Sequence, residues 1–162
     1  MTIEAPLSLH RDSVVPEWID YNGHMNVAYY LLVFDHATDA FLDYLGMTDS
    51  FRKHNNSSTF GAEIHITYLK EVGLGDELII NTQLIDFDEK RFHYFHQMHE
   101  SKTNNIVATA EMMGLYMDMN IRRVAAMPES ILQRLNEVKT AHSILSEPEQ
   151  LGRKIGIPRS RN

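Results

Sequence analysis

Apolar side chains recur at Val27, Tyr30, Leu31, Phe34, Phe41, Leu42 and Leu45, in steps of three and four that line one face of a helix. The spacing predicts a helix over residues 26–45. Asn26 is its expected N-cap, because the asparagine oxygen can accept from a free amide of the first turn. Gly46 is its expected stop. Ahead of it, "LSLHRDSVV" (7–15) predicts a strand closed by Pro16, and the polar residues 47–57 predict a loop. From residue 58 the period falls from about 3.6 to two. "STFGAEIHITYLKEV" alternates, with Phe60, Ala62, Ile64, Ile66 and Tyr68 expected on one side and Glu63, His65 and Thr67 on the other. The turn "GLGD" (73–76) leads to three more expected strands, "ELIINTQLIDF", "RFHYFHQMHE" and "NIVATAEMMGLYMDM". "PESILQRLNEV" (128–138) predicts a short closing helix, with Pro128 near its first position.

A run of antiparallel strands must cover one of its faces, and only the helix at 26–45 is long enough to do so. The expected architecture is therefore α+β, an antiparallel curved sheet wrapped around one long central helix. It would occupy residues 1–138, with a C-terminal tail at 139–162. One edge strand would stay open, and pairing of edges between subunits would close it. A homodimer is expected on that ground.

Composition narrows the classes. The chain has 162 residues, 43% hydrophobic and 23% charged, which suits one globular domain with a real core. Its longest apolar runs, such as "YYLLVF", fall far short of the roughly 20 residues that span a bilayer, so no membrane partner is expected. The start "MTIEAPLSLHRD" carries acid and no apolar stretch, unlike a secretory signal. Zero cysteines exclude a disulfide framework, a cysteine nucleophile and a thiolate metal site. A net charge of -7 argues against a nucleic-acid surface, although a local basic patch could grip a phosphate. A cytoplasmic location fits.

The densest polar chemistry lies in "WIDYNGHMNVAYY" (18–30). Asp20 precedes a glycine turn that delivers the chain to the helix start. First-turn amides lack intrahelical partners, and the dipole adds positive charge there. Such a place can hold a developing oxyanion, and an acid beside it completes the minimal equipment for acyl transfer. The plain alternative is that Asp20, Asn22 and Asn26 are turn and cap residues and that His24 only packs or hydrogen-bonds.

The spacing of Asp20, Gly23, His24, Asn26 and Tyr30, ahead of a long helix and four strands, resembles the 4-hydroxybenzoyl-CoA thioesterase group of the hotdog fold. The motif covers about ten residues, but the element order matches over most of the chain. The resemblance implies an acyl-CoA thioesterase needing no cofactor and assembled as a homodimer or homotetramer. Asp20 would attack the thioester or activate water, and the amide of Val27 or a near neighbour would bind the thioester oxygen. Many relatives carry a second asparagine where this chain has Val27, so only the backbone can serve there. His24 and Asn26 would shape the loop or position water and carbonyl.

A finer set, "DYNGH", "YLLVFDHATDA", "EIHITYLKEV", "FDEKRFHYFH" and "LGRKIGIP", is similar to the betainyl-CoA thioesterases of carnitine breakdown. That implies release of glycine betaine and CoA. A trimethylammonium group is held by aromatic faces and carboxylates. Trp18, Tyr21, Tyr29, Tyr30, Phe60 and Tyr68 are candidates for such a cage, with Glu63 as counter-charge. Plain core packing is the alternative for these aromatics, and Trp18 and Tyr21 stand out because they flank Asp20. Lys90 and Arg91, after "DFDE", could meet the phosphates of coenzyme A, or be a solvated basic pair.

"HYFHQMH" places histidines at 93, 96 and 99. On a strand the outer pair lie about 20 Å apart and the middle one faces away, so no metal site is expected from them. The methionines of "MMGLYMDM" suit core filling. No P-loop, dinucleotide fingerprint or Gly-x-Ser-x-Gly elbow is present. Two readings remain beside the betainyl one: a thioesterase for aromatic or medium/long acyl chains, and a hotdog dehydratase in which His24 with Asp20 would supply the catalytic pair.

Overall fold

The computed structural model describes residues 2–159. In chain order the elements are β1 (Leu7–Ser13), a 3-10 turn (Pro16–Trp18), α1 (Val27–Tyr44), α2 (Asp49–Asn55), β2 (Ser57–Tyr68), β3 (Glu77–Phe87), β4 (Arg91–Glu100), β5 (Ile106–Asp118), the two-residue β6 (Arg123–Val124) and α3 (Glu129–His142). The strands form one sheet in the order β1-β3-β4-β5-β2, with β6 against β5. All pairs are antiparallel. The sheet curls around α1, which buries Tyr30, Val33, Phe34, Ala37, Phe41 and Leu42. Phe41 packs on Tyr94 with centroids 5.4 Å apart, and Phe34 stacks on His96 at 5.8 Å. The curved antiparallel sheet around one long helix, expected from the alternating strands and the helical stripe, is the architecture observed, and it is the hotdog arrangement that the resemblance implies.

Several details differ from expectation. Val27 and Leu31 belong to the apolar stripe but are 58% and 39% exposed. They lie on the same margin of the helix as Leu42 and Leu45. That margin is covered at the C-terminal half, where both leucines are buried, and left open at the start. Phe60 is not on the face of Ile64 and Tyr68. β2 bulges between Gly61 and Glu63, so Phe60 pairs with Leu115 while Ile64 pairs with Met112. A bulge shifts the alternation by one residue, and paired residues share a face. Phe60 is thereby turned to the convex side.

The expected loop at 47–57 holds α2. Thr48 caps it by accepting from the Phe51 amide at 3.2 Å, and left-handed Asn56 ends it. Helix α3 runs past residue 138 to His142, whose Nδ1 accepts from the Leu84 amide at 2.9 Å. Residues beyond it cross the convex face. Gln83 reaches the Ser146 carbonyl at 3.4 Å, and the Gly152 amide donates to Glu111 Oε2 at 2.7 Å.

Candidate active site at the start of α1

The chain enters α1 through a loop clipped at both ends. The Asn26 amide donates to the Trp18 carbonyl (2.8 Å), the Asp20 amide to the His24 carbonyl (3.0 Å), and the Gly23 amide to the Asp20 carbonyl (3.0 Å). Gly23 takes a φ of 79°, a left-handed conformation that glycine adopts without a Cβ penalty. Ile19 and Met25 face each other as an isolated bridge, so Asp20 emerges beside the helix start. Its Oδ1 accepts from the Asn22 amide at 2.8 Å, and its Oδ2 takes no hydrogen bond among the described residues.

Asn26 caps α1 as expected, its Oδ1 accepting from the Ala28 amide at 3.0 Å. The first amide of the helix, on Val27, is left without an acceptor among the described residues. The positive end of the helix dipole lies there. A carboxylate with a free oxygen on the loop that enters a helix can act on a carbonyl carbon, and an unpaired helix-start amide can stabilise the resulting oxyanion.

Residues 68–72 form the opposite wall. The Met25 amide donates to the Val72 carbonyl at 2.9 Å, and the Tyr68 hydroxyl donates to the Val27 carbonyl at 3.2 Å. Between the walls opens a shallow cleft of about 300 Å³ lined by Met25, Val27, Tyr30, Tyr68, Leu69, Lys70 and Glu71. Tyr30 and Tyr68 meet edge to face at 5.2 Å. Burial raises the Tyr30 hydroxyl above its ordinary pKa, opposed by a bond from the Val72 backbone, with smaller upward pushes from Tyr68, Glu71 and Asp20. Burial also raises Tyr68. Both therefore remain neutral phenols and hydrogen-bond donors at neutral pH. His24 does not pair with Asp20: its Nδ1 lies 2.6 Å from Glu71 Oε2, which leaves the Asp20 carboxylate free. Glu71 had no signal in the sequence, because the contact joins two loops far apart along the chain.

Trp18 stacks on Tyr29 at 5.6 Å, and Tyr21 stands at the loop tip, 96% exposed. The remaining expected residues lie elsewhere in this chain. Phe60 is about 26 Å along β2 from Tyr68, on the convex face. Glu63 lines a separate convex-side cavity of about 310 Å³ with His65, His93, Glu111, Arg153 and Lys154. Lys90 and Arg91 sit on the β3–β4 turn, each already engaged. Lys90 Nζ lies 3.4 Å from Glu89, and Arg91 Nε donates to Asp88 Oδ2 at 2.8 Å. The Arg91 hydrogen bond, helped by the Lys90 amide, pulls the Asp88 carboxyl down to about 2. His93 and His96 lie on opposite faces, His93 against Glu111 at 2.9 Å and His96 buried between Thr38 and Thr82.

Residues 14–135 match the thioesterase-like superfamily. The chain belongs to that family. This thioesterase is 37% identical over 94% of its length to a betainyl-CoA thioesterase of Pseudomonas aeruginosa, of which it covers 96%. It is 34% identical, over 95% of its length, to an L-carnitine dehydrogenase/betainyl-CoA thioesterase of Rhizobium meliloti, spanning 31% of that longer protein. A Staphylococcus aureus protein solved in complex with CoA superposes with a TM-score of 0.89 at 30% identity, covering 98% of this chain and 100% of that one. The reaction class is thioester hydrolysis. No helix among the described residues is long and apolar enough to cross a membrane.

Proposed function

We propose that this thioesterase hydrolyses a small cationic acyl-CoA, betainyl-CoA, to glycine betaine and CoA, as a cytoplasmic step of carnitine catabolism. The observations that carry the mechanism are the free Oδ2 of Asp20 and the unpaired Val27 amide on the two sides of one clipped entry to α1. Asp20 attacks the thioester carbonyl, giving a mixed anhydride that water then cleaves to free acid and Asp20, or deprotonates a water that attacks the carbonyl itself. The Val27 amide holds the oxyanion, and collapse expels the CoA thiolate. The identity to betainyl-CoA thioesterases over nearly the full chain supports the acyl group. So does a cleft that joins the tyrosine faces of Tyr30 and Tyr68 to Glu71, a combination suited to a quaternary ammonium.

Assembly completes the reading. The β2 edge exposes Phe60, Ile64, Tyr68 and Leu69, next to exposed Val27 and Leu31, and open edges invite strand pairing. Antiparallel pairing of two β2 strands about an axis near Ile64 makes a homodimer. The cleft lies against that edge, and pairing of two such dimers gives a homotetramer.

Free-thiol release across an acyl-CoA panel tests the proposal. The expected result is the highest kcat/KM for betainyl-CoA. Preference for neutral aromatic or medium/long acyl groups overturns the substrate, and hydration of an enoyl-CoA without thiol release would mark a dehydratase.

A further inference from the structure

Edge strand β1 carries two polar side chains on its inner face. His10 pairs with Ile80 and Asp12 with Leu78, and both partners are fully buried core residues. Paired residues share a face, so His10 and Asp12 point toward α1, where an apolar pair would be the ordinary choice. His36 meets them from α1. Asp12 Oδ2 lies 3.5 Å from His10 Nε2 and 3.6 Å from His36 Nδ1, and the three atoms all lie within 4.8 Å of one another.

Those separations are too long for charge-assisted hydrogen bonds, which run about 2.7–2.9 Å. They are close to the edge of a coordination tetrahedron, where bonds of about 2.0–2.1 Å set donor atoms about 3.3–3.4 Å apart. His10 Nε2 adds an independent observation: it is buried and makes no hydrogen bond among the described residues. A buried ring nitrogen without a partner is costly, and a metal ion would satisfy it.

We propose that His10 Nε2, Asp12 Oδ2 and His36 Nδ1 form a binding site for a zinc-class divalent cation, clasping β1 to α1. Two neutral imidazoles and one carboxylate suit a borderline first-row ion rather than magnesium or calcium. Asp12 and His36 are partly exposed, at 24% and 43%, so solvent water completes the coordination. His36 lies about 13 Å along α1 from Val27, so the ion stands away from the thioester carbonyl and acts on the scaffold. β1 pairs with the sheet through β3 alone and leads within a few residues to the Asp20 loop. The clasp fixes the entry to that loop against the helix.

The test uses chelator-stripped full-length protein titrated with zinc chloride, with binding followed by calorimetry and Tm by thermal scanning. The expected result is about one zinc per chain and a Tm rise of roughly 5 °C at about 100 times Kd. Both effects should be lost in His36→Gln and Asp12→Asn. Cobalt(II) should give the visible absorption of a low-coordinate site in the wild type and not in His36→Gln. His36 is partly exposed, so His36→Gln should keep the metal-free Tm, which separates lost ligation from lost folding. A wild type that binds no zinc, or a His36→Gln protein that binds it as the wild type does, overturns the site.

Discussion

The Tyr68 hydroxyl donates to the carbonyl oxygen of Val27 at 3.2 Å, so the edge strand grips a residue that lines the cleft and opens the helix. Tyr68→Phe removes that grip while keeping the ring against Tyr30. We expect kcat/KM to fall about 2–10-fold, equivalent to about 0.5–1.5 kcal/mol. The hydroxyl is partly exposed, so Tm should barely move. Steady-state kinetics beside a thermal scan check both.

Asp20→Asn keeps the side-chain oxygen that accepts from Asn22 and removes the negative charge. Turnover should fall about 10²–10⁴-fold with Tm nearly unchanged. Near-normal turnover would exclude Asp20 as the reacting acid.

Ile64 sits 42% exposed at the middle of the open edge. Ile64→Lys places two like charges near the axis of the proposed dimer. Sedimentation should show a shift toward monomer, with thiol release reduced in parallel if both subunits complete the cleft.

Gly114 has a steric reason to be glycine. A Cβ there would lie 2.3 Å from the ring of Phe92, which is fully buried on the paired strand. Gly114→Ala should destabilise by about 1–3 kcal/mol, in the range of core overpacking, as a lower denaturant midpoint. Combining it with Phe92→Leu should recover part of the loss.

His96 couples stability to pH. Burial, with a smaller push from His10, holds its pKa down to about 3. The unfolded ring titrates near 6.5. Its polar neighbours are Thr38 on α1, Thr82 on β3 and Tyr94 on β4. Above about pH 6.5 neither state is charged and His96 imposes no pH dependence. As pH falls toward 3, only the unfolded state binds the proton, so stability drops by up to about 1.4 kcal/mol per unit. His96→Gln should flatten that slope in urea midpoints measured between about pH 7 and pH 5.

Much of this was legible in one dimension. The helix stripe, the Asn26 cap and the alternating strands are local patterns, written by backbone geometry every three to four residues or every two. Helix α2 left a weaker trace, Thr48 as cap with Asp49 at the start and Arg52, Lys53 and His54 at the end, a charge order that matches the helix dipole. So short a polar helix carries no apolar stripe, and its residues pattern as a loop.

The sequence by itself determined the order of the long elements, the α+β class and the placement of an acid shortly before a helix start, because each depends on neighbours along the chain. Only the tertiary structure decided that His24 binds Glu71 and leaves Asp20 free. It also decided that the β2 bulge turns Phe60 to the convex face, and that His10 and Asp12 meet His36. Those outcomes depend on register and on contacts between distant segments. A shift of one residue in strand pairing inverts a face, and no local periodicity records which segment closes over another.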